Sequence, residues 1–222
     1  MKKLFVTGTD TAVGKTYTIL GILNTAAGLG YKTVAMKPFE TGCRIRNKML
    51  VPHDAALIKK AIGIGDLDAI NPYRFVAPVA PYVAAKIEKK RIKLNVVFDT
   101  YKHLIKGHHL IVVEGAGGLL VPITRDFFYA DLAKTLSLPI LVVAANKLGV
   151  INHTLLTVSY IMENKLKLTG VVLNDIDQKN DPAKKTNPKI LKELLGNKFI
   201  GEIRFGRFEK NVDLFKKILN LL

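Results

Sequence analysis

The sequence predicts an α/β fold of three layers, in which helices cover both faces of a mostly parallel sheet. Short, β-branched apolar runs alternate along the 222 residues with longer stretches of helical pattern. Several of these runs are apolar at consecutive positions, as expected for strands that are buried on both faces. A chain of this length can form one domain with a sizeable core, so we expect residues 1–222 to be a single domain.

Six strands and six helices follow from this alternation. The strands are predicted at Leu4–Thr7, Thr33–Met36, Leu110–Val113, Ile140–Ala144, Gly170–Leu173 and Phe199–Ile203. The helices are predicted at Lys15–Gly28, Asp54–Ala61, Leu94–Lys106, Ile151–Asn164, Pro188–Leu195 and Val212–Leu222. Between them, Arg44–His53 is expected to be an irregular connection, and the polar segment Asp177–Asn187 is expected to be a mobile surface loop.

Composition and charge limit the class of protein. The formal net charge of +16 is large enough to suggest a nucleic-acid partner. The basic residues are, however, spread over many segments and are not interleaved with aromatic residues, so we expect no nucleic-acid partner. No apolar run is long enough to span a membrane. Cys43 is the single cysteine and the chain begins without a signal-peptide pattern, which together favour the cytoplasm.

The most informative motif is Gly8–Thr16, whose residues are Gly-Thr-Asp-Thr-Ala-Val-Gly-Lys-Thr. A glycine-bounded loop between a strand and a helix presents backbone N–H groups and the positive end of the helix dipole to phosphate. Lys15 would neutralise the outer phosphates of a nucleotide, and the Thr16 hydroxyl would ligate Mg²⁺. Five residues separate the two glycines, where the usual pattern has four. The alternative is an ordinary strand-to-helix turn.

Charged residues follow other predicted strands, and the carboxyl ends of parallel strands meet at one edge of a sheet. Glu114 opens Glu-Gly-Ala-Gly-Gly and would bind Mg²⁺, unless it is a solvated acid at a flexible junction. Asp54 begins a helix and would complete the metal site or merely cap that helix. Lys37 would stabilise a second anion, or place its ammonium at the surface. Thr41 would donate a hydrogen bond to that anion or cap a turn.

A further candidate is the segment Lys147–His153, which follows the predicted strand Ile140–Ala144 and opens a helix. The N-terminus of a helix is a ready site for an anion. We expect His153 to be structural, because the sequence contains no cysteine–histidine metal spacing and supports no Ser-His-Asp arrangement.

Taken together, these motifs resemble those of the dethiobiotin synthetase family. The resemblance runs from Lys3 to about Ile203, and the five-residue loop spacing is that family's form of the phosphate loop. The matching segments are 8–16, Lys-Pro-Phe-Glu-Thr-Gly at 37–42, Asp54-Ala55, Asn71-Pro72-Tyr73, Glu-Gly-Ala-Gly-Gly at 114–118, Lys-Leu-Gly-Val-Ile-Asn-His at 147–153 and Asn174-Asp175.

The resemblance implies a P-loop NTPase fold and an ATP- and Mg²⁺-dependent reaction. In that reaction 7,8-diaminononanoate takes up CO₂ as a carbamate, and ATP phosphorylates the carbamate to a mixed carbamic–phosphoric anhydride. The second amine then closes the ureido ring of dethiobiotin and releases phosphate. The resemblance also implies a homodimer, in which the start of a helix from the partner subunit holds the carboxylate of the substrate.

Residue roles carry over by the same resemblance. The catalytic residues are Lys15, Lys37 and Thr11, and Mg²⁺ is held by Thr16, Asp54 and Glu114. The nucleotide is bound by Thr9, Asp10, Ala12, Val13, Gly14, Lys15, Thr16, Tyr17 and Asn174, of which Asn174 contacts the base. The other substrate is bound by Thr11, Lys37, Thr41, Gly118, Gly149, Val150, Ile151 and Asn152. Three features depart from the family's pattern. Ala12 stands where some members have an acid, and Arg204 where members often have a proline. The loop around Asn187 lacks the tyrosine that some members offer to the substrate tail.

Two alternatives stay open at this point. The first is a related P-loop amidoligase or a partitioning-type ATPase that acts on another substrate. Neither of these two hypotheses predicts that the segments Lys37–Gly42 and Gly149–Asn152 occur together in one chain. The second is a non-enzymatic nucleic-acid binder, driven by charge, whose binding would weaken steeply as salt is added.

Overall fold

A computed structural model describes residues 1–63, 66–178, 181–206 and 208–222. These residues form twelve strands and eight α-helices. The strands are β1 (Lys2–Gly8), β2 (Thr33–Met36), β3 (Phe39–Glu40), β4 (Arg44–Arg46), β5 (Met49–Val51), β6 (Tyr73–Arg74), β7 (Leu110–Glu114), β8 (Pro122–Thr124), β9 (Phe127–Phe128), β10 (Ile140–Ala145), β11 (Leu168–Asn174) and β12 (Phe199–Ile203). The helices are α1 (Lys15–Gly28), α2 (Asp54–Ile62), α3 (Pro81–Ile87), α4 (Leu94–Leu104), α5 (Tyr129–Thr135), α6 (Val150–Glu163), α7 (Pro182–Leu195) and α8 (Val212–Asn220).

The central sheet has six parallel strands in the order β12-β11-β10-β1-β7-β2. Every residue of β7, β10 and β11 is buried, because helices cover both faces of the sheet. The three-layer α/β class and all six predicted strands are therefore confirmed. None of the helices within the described ranges combines the length and the apolar content needed to cross a bilayer.

The strand order determines where the site forms. Strands β1, β7 and β2 are neighbours, with Val6 beside Glu114 and Met36 beside Val113. The loop after β1, the last residue of β7 and the lysine after β2 therefore reach the same edge of the sheet. On the other side of β1, strand β10 leads into the loop that begins α6.

Two expectations about connections were wrong. The segment Arg44–His53 is not irregular, since most of it forms the hairpin β4–β5. Its two-residue turn places Asn47 and Lys48 at φ of 51° and 61°, as a type I′ turn requires. The alternating pattern is hidden in the sequence because the hairpin is exposed on both faces.

The expected mobile loop Asp177–Asn187 is largely helical, because α7 begins at Pro182 rather than at Pro188. Residues 179 and 180 of that segment lie outside the described ranges. Asp181 caps the helix by accepting a hydrogen bond from Ala183 N at 2.8 Å, and proline is favoured in a first turn. The internal Pro188 has no N–H, so the Lys184 carbonyl is free to accept from Asn146 Nδ2 at 3.2 Å.

Two short helices, α3 and α5, were not predicted from the sequence. Each has seven residues, which is too short to show a clear helical period. Neither helix contributes a predicted site residue, although Tyr129 of α5 is completely buried beneath the site and packs against Phe5 and Phe39.

Candidate active site

The loop after β1 is tightly folded, and its two glycines leave no room for side chains. Gly14 has a φ of +93°, and a Cβ there would lie 2.0 Å from Asn174 Nδ2. A Cβ on Gly8 would lie 2.6 Å from the Asp10 carbonyl oxygen. The Asn174 amide donates a hydrogen bond to the Val13 carbonyl at 2.9 Å and so ties the loop to the end of β11. The five-residue spacing therefore forms a compact cradle at the start of α1.

Lys15 lies in this cradle, and none of the described carboxylates is hydrogen bonded to it. Its ammonium donates to the Asp10 carbonyl at 3.1 Å, and the residue is buried. Burial lowers the pKa of Lys15 to about 8, because the charged form is poorly solvated there, and the carboxylate of Glu114 only partly opposes this effect. A phosphate anion placed in the cradle would stabilise the charged ammonium.

Lys37 is held quite differently, between two carboxylates. Its ammonium lies 2.6 Å from Asp54 Oδ2 and 2.7 Å from Glu114 Oε1. Burial by itself would lower the pKa of Lys37, but the two carboxylates outweigh it and raise that pKa above its ordinary value. Burial by itself would raise the pKa of Asp54, and the Lys37 ammonium instead lowers it. Lys37 is therefore a buried cation and not a surface lysine.

The side chains of Thr16, Asp54 and Glu114 suit Mg²⁺. The Thr16 hydroxyl donates to Glu114 Oε1 at 2.8 Å, whereas the buried Glu114 Oε2 has no hydrogen-bond partner in the part of the chain that the structure describes. No group of three His, Cys, Asp or Glu side chains within the described ranges is arranged to hold a metal. Mg²⁺ commonly takes only one or two carboxylates from the protein and completes its shell with phosphates and water. Two carboxylates and a hydroxyl beside a phosphate loop fit that pattern.

Two residues without a predicted role support this cluster. Glu40 Oε1 and Oε2 accept hydrogen bonds from the backbone nitrogens of Asp54 and Ala55, both at 2.8 Å. Asn71 Nδ2 donates to the Lys37 carbonyl at 2.6 Å. Both residues occur in segments that carry the family resemblance, but their partners are distant in sequence, so no local pattern revealed these contacts.

These groups line a cavity of about 390 Å³ beside the phosphate loop. The predicted residues on its wall are Thr11, Ala12, Gly14, Lys15, Thr16, Lys37, Thr41, Asp54 and Glu114. Asp10 lies at the exposed edge of the loop, where its carboxylate accepts from Thr11 N at 2.7 Å, and Val13 is buried beneath the loop. The structure thus brings most of the predicted residues to one place.

A second cavity of about 250 Å³ lies on the far side of Gly14. It is lined by Gly14, Tyr17, Asn174, Asp175, Ile176, Arg204, Phe205 and Gly206. Tyr17 is held at this wall because its hydroxyl donates to the Gly206 carbonyl at 2.8 Å. Three of the predicted nucleotide-binding residues therefore line it, namely Gly14, Tyr17 and Asn174, and Asn174 is the one predicted to contact the base.

A third cavity, of about 220 Å³, contains Gly118 and Thr9. It lies between the phosphate loop, the Glu-Gly-Ala-Gly-Gly segment and α6, and includes Leu156 and Tyr160 of that helix. Gly118 is therefore next to the phosphate loop, as expected, although it faces a different cavity from Lys37.

The start of α6 is separate from these cavities. None of the described residues lining them comes from Gly149, Val150, Ile151 or Asn152. Gly149 and Asn152 are exposed, Ile151 is half-buried and Val150 is buried. Within one chain, the four predicted residues are thus not assembled with the rest of the site.

A polar network fixes the loop before α6. Asn187 Nδ2 donates to Asn146 Oδ1 at 2.9 Å and to the Lys147 carbonyl at 3.2 Å. Asn146 Nδ2 donates in turn to Asp175 Oδ1 at 2.9 Å. Asn187 is buried, so its side chain supports this loop rather than facing solvent where a ligand would bind.

Comparison with known proteins shows the fold and the family of this chain. A plasmid partition protein from Borrelia burgdorferi has a TM-score of 0.62 at 14% identity, covering 99% of this chain and 96% of that one, a likeness that shows the fold alone. The family model described as "AAA domain" matches residues 2–206. Two proteins named ATP-dependent dethiobiotin synthetase BioD are closer in sequence. The one from Thermodesulfovibrio yellowstonii is 39% identical over 200 residues, which are 86% of this chain and 83% of that protein. The one from Nitrosopumilus maritimus is 35% identical over 225 residues, which are 100% of this chain and 98% of that protein. With its P-loop NTPase fold, the chain belongs to the ATP-dependent dethiobiotin synthetase family.

Proposed function

We propose that this protein converts 7,8-diaminononanoate, CO₂ and ATP·Mg²⁺ into dethiobiotin, ADP and phosphate. As a member of its family it is an ATP-dependent ligase of biotin synthesis, with ATP as co-substrate. The chemistry has three steps. One amine adds to CO₂ and loses a proton to give a carbamate, a carbamate oxygen takes the γ-phosphoryl group, and the second amine attacks the carbamoyl carbon and expels phosphate.

The phosphate side of the site is assigned to the loop after β1. Lys15 would meet the outer phosphates, since its buried ammonium has a backbone carbonyl rather than a carboxylate as its hydrogen-bond acceptor. Thr16, Asp54 and Glu114 would hold Mg²⁺, which when bound neutralises charge on the phosphates. The backbone of Thr9–Gly14 would surround the phosphates, with Tyr17 and Asn174 beyond them at the base.

The Asn174 amide can contact a base in two ways. One N–H of Nδ2 donates to the Val13 carbonyl, which leaves the second N–H and Oδ1 for a ligand. Oδ1 would accept from an exocyclic amine and the second N–H would donate to a ring nitrogen, a pair of groups that adenine offers side by side.

The carbamate side of the site is assigned to Lys37, with Thr11, Thr41 and Gly118 nearby. A carbamate is an anion and a weak nucleophile, so phosphoryl transfer to it requires neutralised charge and in-line placement. Lys37 supplies a cation between the end of β2 and the phosphate loop. The single observation that carries the proposal is this buried ammonium, 2.6 Å and 2.7 Å from two carboxylates beside a phosphate loop.

The substrate tail is assigned to a second subunit. We propose a homodimer in which Gly149–Asn152 of the partner subunit bind the carboxylate of diaminononanoate at the N-terminus of α6. The exposure of Gly149 and Asn152, away from the cavities of their own chain, supports this arrangement.

We also propose that the protein is a single-domain enzyme located in the cytoplasm, and that it has neither nucleic-acid nor membrane partners.

The test is an assay of the purified protein with diaminononanoate, bicarbonate and ATP·Mg²⁺. We expect dethiobiotin and ADP in equal amounts, and no ADP above background when the diamine is omitted. ATP hydrolysis that ignores the diamine, with no dethiobiotin formed, would instead favour a related P-loop ATPase or amidoligase with another substrate. Thermal stabilisation by ATP·Mg²⁺ but not by the diamine would point the same way.

A further inference from the structure

Helix α2 carries Asp54 into the site, yet it begins without a cap of its own. His53 stands at the N-cap position with φ of −80° and ψ of −54°, and its side chain makes no capping hydrogen bond. The first N–H groups of a helix have no acceptor within the helix and need one from elsewhere. The placement of Asp54 therefore depends on whatever binds those donors.

Glu40 supplies two of these acceptors from a distant part of the chain. One carboxylate oxygen accepts from Asp54 N and the other from Ala55 N, each at 2.8 Å. The residue is 5% exposed, and the positive end of the helix dipole partly offsets the cost of burying its carboxylate. Its own backbone is fixed in turn, because Phe75 N donates to the Glu40 carbonyl at 2.9 Å.

We infer that Glu40 is a positioning residue that fixes the Asp54 carboxylate opposite Lys37 and therefore beside the proposed metal position. Lys37 and Glu40 belong to the same short segment, which follows β2. One end of this segment binds the Asp54 side chain through Lys37, and the other binds the Asp54 backbone through Glu40. The two contacts together set both the position and the direction of the carboxylate.

This inference rests on the proposed function, since it assigns Asp54 to a metal. Residues that orient metal ligands without touching the metal commonly contribute about 10-fold to 100-fold to metal affinity. A Glu40 that only stabilises the fold would change the melting temperature and leave metal binding as it was. Metal affinity therefore separates a positioning role from a structural one.

The chain offers a matched control in Glu88. Its Oε1 also accepts from two consecutive backbone nitrogens, those of Val76 at 2.7 Å and Ala77 at 3.1 Å. Glu88 is not among the described residues that line the cavity of Lys37. Glu88→Gln thus disturbs the same kind of contact outside the site.

The experiment measures Mn²⁺ binding by electron paramagnetic resonance, in the presence of a non-hydrolysable ATP analogue. Glu40→Gln keeps the shape of the side chain but replaces one acceptor oxygen with a donor, and we expect the Mn²⁺ dissociation constant to rise about 10-fold. Glu40→Asp keeps the charge but is too short to reach both nitrogens, and we expect a smaller rise. This second variant also serves if Glu40→Gln does not fold. Glu88→Gln should bind Mn²⁺ as the wild type does.

The inference is overturned if the folded Glu40 variant binds Mn²⁺ with wild-type affinity, whatever its melting temperature. It is also overturned if Glu88→Gln weakens Mn²⁺ binding equally, because the effect would then be general. Failure of the proposed function is distinguishable from both results, since it appears as a wild-type protein that binds Mn²⁺ and nucleotide but forms no dethiobiotin.

Discussion

The centre of the cavity and the start of α6 differ in how far a single chain completes them. At the centre, Lys37 and Thr16 both donate to Glu114 Oε1, and Lys37 also contacts Asp54, so the cluster is already complete and mostly buried. At the start of α6, Gly149 and Asn152 are exposed, away from those cavities. A buried charge must be paired within the fold, whereas a helix N-terminus can remain solvated until a ligand or a partner arrives.

The two regions also differ in what a ligand would meet on binding. The Lys37 ammonium already neutralises part of the charge of Asp54 and Glu114, and the same two carboxylates would hold Mg²⁺ together with Thr16. Lys37 and the metal would therefore share the negative charge of this pair. The start of α6 has no comparable internal partner among the described residues, and its ligand would bind without displacing one.

The largest expected effect is that of Lys37→Ala. We expect kcat to fall by about 100-fold or more, because the carbamate and the transferred phosphoryl group lose their buried cation. Nucleotide affinity should be largely kept, and Mg²⁺ affinity should rise, because a competing cation is gone. Steady-state kinetics measures kcat, and titration calorimetry measures the affinities for nucleotide and for Mg²⁺.

The control is Lys60→Ala, which removes an exposed lysine from α2. A wild-type kcat for Lys37→Ala would refute the proposed role of Lys37 in stabilising the carbamate.

The next effect in size is that of Glu114→Gln. Gln keeps the shape but removes the charge, so the Mg²⁺ concentration at half-maximal rate should rise about 10-fold. The melting temperature should fall as well, because Lys37 is left with Asp54 as its single carboxylate partner in this cluster of described residues. An unchanged metal dependence would remove Glu114 from the metal ligands.

Much of this centre could be predicted from the sequence, for a reason that lies in the sheet. The ends of β1, β7 and β2 adjoin, so residues that directly end or follow those strands must meet. The strands themselves were predictable because a strand buried on both faces is a continuous apolar run. Thr33–Met36 and Phe199–Ile203 have the bounds that the sequence predicted.

Contacts between distant segments could not be predicted in this way. Glu40 caps a helix that begins fourteen positions later, beyond the exposed hairpin β4–β5, and no local pattern links them. The start of α7 was missed because Pro188 indicated a helix start, while Pro182 and Asp181 provide the real one. The role of Gly149–Asn152 in a second subunit likewise stays a prediction, since it depends on contacts between chains.

Mixed dimers would test directly whether the two regions of one site come from different subunits. Lys37→Ala and Asn152→Trp should each be inactive alone, the second because a bulky side chain would block the exposed start of α6. If each site combines Lys37 of one subunit with Asn152 of the other, equal mixing should restore about a quarter of wild-type activity, since half of the dimers are mixed and each has one intact site. Size-exclusion chromatography must show that both variants remain dimeric. No recovery after subunit exchange would place each site within one chain.

The smallest effect is expected for Asn187→Ala, which tests how the start of α6 is supported. The buried amide donates to Asn146 Oδ1 and to the Lys147 carbonyl, so its loss should lower the free energy of unfolding by about 1–3 kcal/mol. The KM for diaminononanoate should rise a few-fold as the loop before α6 loosens, while kcat stays the same because the cluster around Lys37 is untouched.

A matched control lies at the other end of the same helix, where the exposed Asn164 Nδ2 donates to the Tyr160 carbonyl at 2.9 Å. Asn164→Ala should leave the KM for the diamine unchanged. Denaturant unfolding and initial-rate kinetics on both variants separate support of the α6 start from general stability. A lower kcat at unchanged KM for Asn187→Ala would mean that the two regions are coupled, and the contrast between a self-contained centre and a separate tail site would then be wrong.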